Sequence, residues 1–149
     1  MTERIVVNNP AHTEAIAGSV GVSYQRRAMS VSREKDGELL GGVVYYDHTG
    51  ESLCVHVAGW NDHWVNRDIL FCMFDYPFRQ MGVKRVFAQI PEDNQRSLDF
   101  NEKLGFKTVA RIEGVYPGNV ACIVRCIERA GAERFLRIKP LHIERRPVH

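Results

Sequence analysis

Val83-Lys84-Arg85-Val86-Phe87-Ala88-Gln89-Ile90-Pro91-Glu92-Asp93-Asn94-Gln95-Arg96-Ser97 runs on to Glu102-Lys103-Leu104-Gly105-Phe106, and this stretch decides the fold. From Lys84 to Ile90 the residues alternate. Val86, Ala88 and Ile90 fall on one side, and Arg85, Phe87 and Gln89 on the other, as in a strand with two unlike faces. Pro91 closes the strand, because it has no N–H for a ladder. Asn94 to Leu104 then reads as a helix, with Leu98 and Leu104 turned inward and Gly105 as its stop. A strand, a helix and a further strand form a crossover unit.

Outward from this unit the pattern stays regular. Ala11 to Ser19 reads as a short helix stopped by Gly18 and Gly21. Ala28–Lys35 and Glu38–Asp47 read as strands joined by an Asp36-Gly37 hairpin turn. Ser52–Trp60 is a third strand, with Leu53, Val55 and Val57 on one face and Cys54, His56 and Ala58 on the other. Ile69, Leu70, Met73, Phe74 and Phe78 then recur at helical spacing, and Pro77 predicts a kink or an early end near Tyr76. Phe106–Val115 and Asn119–Arg129 are two more strands around Pro117-Gly118. The fold class is α/β (α+β): one mixed, mostly antiparallel sheet of about six strands with helices on both faces.

The chain has 149 residues, enough for one domain and not for two cores. That domain spans 1–149, with 130–149 as a basic C-terminal tail. Apolar residues make up 44% and charged residues 26%, which supports a real core and excludes a disordered chain. Net charge is +2, so nucleic acid is not an expected partner. The charge is uneven: Arg125 to His149 holds seven Lys or Arg against three Glu. Cys54, Cys72, Cys122 and Cys126 form no CxxC pair, and no His stands at zinc spacing beside them. Buried free thiols in a reducing cytoplasm are the simple account. No signal segment opens the chain, and no apolar run approaches the roughly 20 residues that span a bilayer. No metal is expected, and no nucleotide-binding glycine motif is present. Phe135, Leu136, Ile138, Leu141 and Ile143 have no obvious place in the core. As a terminal strand and tail they can extend the sheet onto a second copy, giving a homo-oligomer, or cover its edge.

The stretch from Gly82 to Ser97, followed by Glu102 to Phe106, resembles the GNAT acetyltransferase superfamily (the acyl-CoA N-acyltransferase fold). The similarity is closest to the branch that acetylates ribosomal-protein N-termini and to GNAT-like proteins of tailed bacteriophages. The shared features are a strand, Asn94-x-x-Ser97, and a helix ending in Lys103-Leu104-Gly105-Phe106. The element order matches as well, and the resemblance covers about Gly41 to Arg129. It implies an N-acetyltransferase that uses acetyl-CoA and an amine-bearing acceptor of unstated identity. It also implies that the strands Ser52–Trp60 and Lys84–Ile90 splay to admit the cofactor's pantetheine arm along Val57 and Ala58. Trp64, Val65, Asn66 and Arg67 would then meet its phosphates at a helix N-terminus. Asn94, Ser97 and Phe100 complete the expected cofactor contacts. The loops Gly18–Arg27 and Val115–Val120 would meet the acceptor.

The departures from the family matter as much. The phosphate loop lacks glycine from Asn61 onward, and it carries Trp64 with the anionic Asp62 and Asp68. Asn101 stands where many members place a Tyr acid, and Gln89 where many place a Glu base. Neither titrates. The titratable candidates are therefore His56 on the cofactor-side strand, Glu92 just after the central strand, and Tyr116 in the last hairpin. The rival expectation is a GNAT-fold binding or structural protein, as in a bacteriophage, that has lost catalysis.

Overall fold

A computed structural model describes residues 3–20, 28–61, 63–141 and 143–144. Its elements run β1 (Glu3–Val7), α1 (Pro10–Ser19), β2 (Met29–Lys35), β3 (Glu38–Tyr46), β4 (Ser52–Gly59) and α2 (Arg67–Asp75). There follow β5 (Arg85–Pro91), α3 (Gln95–Lys103), β6 (Lys107–Tyr116), β7 (Val120–Glu128), α4 (Arg129–Leu136) and β8 (Ile143–Glu144). Among the described residues the sheet has eight strands in the order β6-β7-β5-β4-β3-β2-β1-β8. Of these described pairings, β4–β5 and β1–β8 are the parallel ones. The mixed, mostly antiparallel sheet with helices on both faces is as the sequence predicts.

The local reasons are visible. Asp36 and Gly37 both have positive φ, 51° and 81°, as the tight β2–β3 turn requires. Asn66 caps α2 by accepting Ile69 N–H at 2.9 Å, and Asn94 caps α3 by accepting Ser97 N–H at 3.2 Å. Pro77 acts as expected. After Asp75 the α2 helix widens into a π turn over Tyr76–Gln80, and Met81 N–H reaches back five residues to Tyr76 C=O.

The large core lies on one face of the sheet, under α2, α3 and α4. It joins Tyr45, Leu53, Ile69, Phe74, Val86 and Leu98. On the other face α1 packs Ile16 against Val44 and Ala58. The strand β4 therefore has two buried sides, which fixes its register.

Two strands beyond the expected six are present. β1 is a short run, Ile5-Val6-Val7, buried on both faces, so it shows no alternation to read. The expected terminal strand and tail divides: Arg129–Leu136 forms α4 instead of strand, and Phe135 and Leu136 enter the core, while the edge-covering strand comes later, at Ile143. Its N-cap, Glu128, makes no capping bond, and Gly131 sits inside it, so the usual start and interior signals are missing. Ile143 adds a last strand beside β1 within the same chain, and Leu141 stays 80% exposed. All four cysteines are free, and of these Cys72 and Cys122 are buried, Cys54 and Cys126 only half-buried.

Candidate active site

β4 and β5 pair from Ser52–Arg85 only as far as Val55–Ala88. β4 continues to Gly59 and β5 to Pro91, so the two strands part in the middle of the sheet. Trp60 N–H donates to Leu40 C=O at 2.9 Å. The antiparallel alternation from that bond turns His56 and Ala58 peptide groups toward β3. The same alternation turns those of Val57 and Gly59 toward the gap. A cavity of about 360 Å³ occupies the gap. Its lining comes from both faces of the sheet: Val57, Ile90, Phe100 and Asn101 on the α2–α3 side, and Val20, His56, Gln89 and Tyr116 on the α1 side. The cavity thus crosses the sheet, so two ligands entering from opposite faces can meet inside it.

His56 is half-buried on β4 and its ring stacks on Tyr46, centroids 5.0 Å apart and planes 4° apart. Tyr46 Oη lies 2.8 Å from His56 Nε2. Tyr46 Oη–H can donate to Nε2, or Nε2–H can donate to Oη, and the second arrangement leaves a free lone pair on Nδ1. Burial pushes the His56 imidazole below its ordinary pKa, favouring the neutral ring. Burial likewise raises Tyr46, so its hydroxyl stays protonated. Tyr116 lines the cavity and is half-buried, with Oη 3.7 Å from Cys122 Sγ. Burial, then the Cys122 contact, push the phenol up to about 12. It is therefore a neutral donor at neutral pH.

Glu92 is placed differently from its sequence reading. It does not line the cavity; its carboxylate forms a forked pair with Arg111, one arm Nη2–Oε1 at 3.0 Å. Arg111 also binds Glu113 at 2.6 Å. The Arg111 hydrogen bonds hold the Glu92 carboxyl below the usual range. A carboxylate held this way is an ion-pair partner and a poor proton acceptor.

The expected cofactor residues divide. Val57, Asn94, Ser97 and Phe100 line the cavity. Ala58 does not: its side chain is buried with Ile16 and Val44 on the α1 face. Trp64 is also corrected. It is 6% exposed, and its indole lies over Gly41 and Gly59, which are paired on β3 and β4. A Cβ on Gly59 would stand 2.3 Å from indole Cδ1 and Nε1, and one on Gly41 2.7 Å from Cδ2. The indole edge meets the Phe100 ring at 5.9 Å. Trp64 thus packs in the core beside the gap. Val65 packs on the core, Asn66 serves as the α2 cap, and Arg67 stands exposed in the first turn of α2. Arg33 donates to His63 C=O at 2.5 Å and fixes this connection from below. Asp68 does not face an incoming anion: it is buried and accepts Leu141 N–H at 2.8 Å. Asp62 and the loop residues 21–27 lie outside the described residues.

Asn101 carries a signal the sequence could not give. It is buried, it contributes to the cavity lining, and its Oδ1, itself shielded from solvent, has no hydrogen-bond partner among the described residues. Tyr46 was also missed. A hairpin register pairing Tyr46 with Cys54 sets it diagonally beside His56, and that register was the available signal.

A parted pair of parallel strands between two helix layers defines the acyl-CoA N-acyltransferase (GNAT) fold, and the comparisons agree. No protein-family model and no curated protein is similar enough to match this chain. Among solved structures, a variant of spermidine N-acetyltransferase SpeG from Vibrio cholerae matches with TM-score 0.69 at 12% identity, over 91% of this chain and 96% of that one. yncA from Salmonella typhimurium, solved with acetyl-CoA, matches with TM-score 0.64 at 15% identity, over 86% and 94%. The Campylobacter jejuni N-acetyltransferase PseH in complex with acetyl coenzyme A matches with TM-score 0.54 at 12% identity, over 70% of each chain. At such identities the likeness shows the fold.

Proposed function

We propose that this protein is an acetyl-CoA-dependent N-acetyltransferase acting on a primary amine of a small molecule or a protein. The observation that carries the reading is the parting of β4 and β5 after Val55 and Ala88, with a cavity that crosses the sheet. The neighbouring folds solved with acetyl-CoA support the same cosubstrate. The residues present fit it. Peptide groups of Val57 and Gly59 offer a free strand edge to an extended amide-bearing arm. Exposed Arg67 and the first amides of α2 suit its phosphates.

In acetyl transfer a C–S bond breaks as a C–N bond forms; the nitrogen loses one proton and the thiolate gains one. His56, neutral and open to the α1 side, takes the proton from the attacking nitrogen, with Tyr46 holding the ring. Tyr116 returns a proton to the departing sulfur. The strand-edge amides polarise the carbonyl. Holding both reactants in one cavity supplies much of the remaining rate.

The resemblance of Asn94, Ser97 and Leu104-Gly105-Phe106 supports kinship with the ribosomal-protein-type and bacteriophage GNAT-like proteins. Free cysteines throughout support a cytoplasmic setting. Self-association would use the exposed β6 edge, where Val109, Ile112 and Val115 face outward, because the apolar tail is largely spent inside the chain. Sedimentation at several concentrations tests that point.

A second reading, a GNAT-fold binding or structural protein without catalysis, is favoured by one observation. Trp64 fills the connection where a glycine-lined phosphate loop is expected. Calorimetric titration with acetyl-CoA, followed by mass spectrometry with a panel of amines, decides. Binding with acetylated product supports the enzyme, and no binding at millimolar acetyl-CoA overturns it.

A further inference from the structure

Among the described residues, no Asp, Glu, Lys or Arg lines the cavity that crosses the sheet. The acids that adjoin its lining in the chain are engaged or stand apart. Glu92 follows the lining residue Pro91, but Arg111 holds its carboxylate together with that of Glu113. Asp47 follows Tyr46 and is exposed, off the lining. Residues 21–27, outside the described ones, contain no Asp or Glu. The polar side chains Gln89, His56 and Tyr116 on the α1 side are an amide, an imidazole and a phenol. Gln89 is the first β5 residue beyond the last pair with β4, Val55–Ala88, and it is exposed.

This composition bears on which amine can react. An amine attacks a thioester only as the free base. A carboxylate in a site draws the ammonium ion in and can take up its proton. In a cavity without one, an entering ammonium loses hydration and meets no counter-ion. Selection then follows how much of the amine is already neutral. At pH 7.5 an α-amino group, with an ordinary value of about 7.7–8.0, is roughly one-third neutral, and an alkylammonium, at about 10.4, roughly one part in 800. His56 works in the same direction. Burial holds it below 6.5, so it is a poor base toward an alkylammonium.

We propose that this cavity selects weakly basic primary amines, largely neutral near pH 7.5, over alkylammonium ions such as lysine side chains and polyamines, and that Gln89 sets the selection by placing an amide where a carboxylate would hold a cation. The inference rests on the acetyl-CoA reading above and narrows its acceptor. Gln89 acts without exchanging a proton, because its side chain does not titrate.

The test uses two amines that carry the same ring, phenylalaninamide and phenethylamine, with spermidine as a third, at saturating acetyl-CoA. At pH 7.5 phenylalaninamide should exceed phenethylamine in kcat/KM by at least about 10-fold, with spermidine lower still. From pH 7 to pH 9 the value for phenethylamine should rise roughly 100-fold, while that for phenylalaninamide levels off above about pH 8. The slope reports the amine: His56 lies below 6.5, Glu92 is held low by Arg111, Cys54 is raised to about 11 and Tyr116 to about 12, and burial raises Tyr46 further. Gln89→Glu should raise kcat/KM for phenethylamine roughly 10-fold or more at pH 7.5 and flatten its slope. The wild-type preference and slope test the inference without any variant. A smaller wild-type preference, or spermidine acetylated as well as phenylalaninamide, overturns it alone. A flat wild-type profile for phenethylamine also overturns it, since the ammonium ion is then what binds. An unchanged preference in folded Gln89→Glu removes Gln89 as the determinant. Wild type that binds acetyl-CoA and acetylates none of the three amines refutes the acetyltransferase reading with it.

Discussion

The two chain segments that leave the parted strands differ in an instructive way. β5 into α3 keeps the family-like pattern, with Asn94 as cap, Ser97 in the first turn and Leu104-Gly105-Phe106 at the end. Yet its cavity residues, Gln89 and Asn101, cannot move a proton, and Glu92 is tied to Arg111. β4 into α2 departs from the pattern and is filled by Trp64, yet it carries His56, the group best suited to titrate. A motif match therefore marks where a cleft forms, while the titratable group proposed as proton acceptor lies on the segment that matches less well.

Removing the indole tests the β4–α2 side most severely. Trp64→Ala should cost about 3–5 kcal/mol, the usual range for a buried Trp, read as the urea midpoint. A cost below about 1 kcal/mol would mean that the ring does not pack over Gly41 and Gly59 in solution. Next comes His56, the proposed proton acceptor. His56→Gln should lower kcat/KM by roughly 100-fold or more. The folded-state pKa of His56 lies below the ordinary value of 6.5, so the neutral ring persists somewhat below pH 6.5 and the acid limb of the rate profile should fall there. The sign for stability follows. Between the folded and ordinary values the unfolded chain binds more protons, so stability rises with pH and is lost as pH falls through that window. The Gln variant should lack that loss in urea titrations at pH 5 and pH 7.

The matched caps give a smaller and more even comparison. Asn66→Ala and Asn94→Ala should each cost about 1 kcal/mol in stability. If Asn94 also touches the arm, only its variant should weaken acetyl-CoA binding beyond the stability effect. The smallest effect is expected at Glu92. Glu92→Gln should leave kcat/KM within about twofold, since an exposed ion pair contributes little. A fall of roughly tenfold or more would restore Glu92 as a proton acceptor.

Much of this was legible because strands and helices leave periodic traces. Alternation through Ser52–Gly59 and Arg85–Pro91, with Asp36-Gly37 and Pro117-Gly118 at the turns, helped mark six strands and their succession along the chain. β1 lacked alternation because both of its faces are buried, and α4 lacked a capping residue. The site was harder to read, because its meaning lies in partners distant along the chain. Glu92 looked free until Arg111 appeared nineteen residues on. Trp64 looked like a loop aromatic until Gly41 and Gly59 came opposite each other. No local pattern could say that Asn101 Oδ1 would find no partner among the described residues.

β1 lies between β2 and β8, and β8 reaches it only from residue 143. During synthesis the first strand can pair with β2 early, but its outer edge waits while the rest of the domain is made. At about 5–20 residues per second that wait is on the order of ten seconds. For that interval the nascent chain presents an apolar ribbon, Ile5-Val6-Val7, with an open row of backbone donors and acceptors. Leu141, whose N–H meets Asp68 at the start of α2, arrives at the same late moment. The closing of this sheet edge and the Leu141 tether on α2 can therefore form only once the chain has been made as far as residue 144.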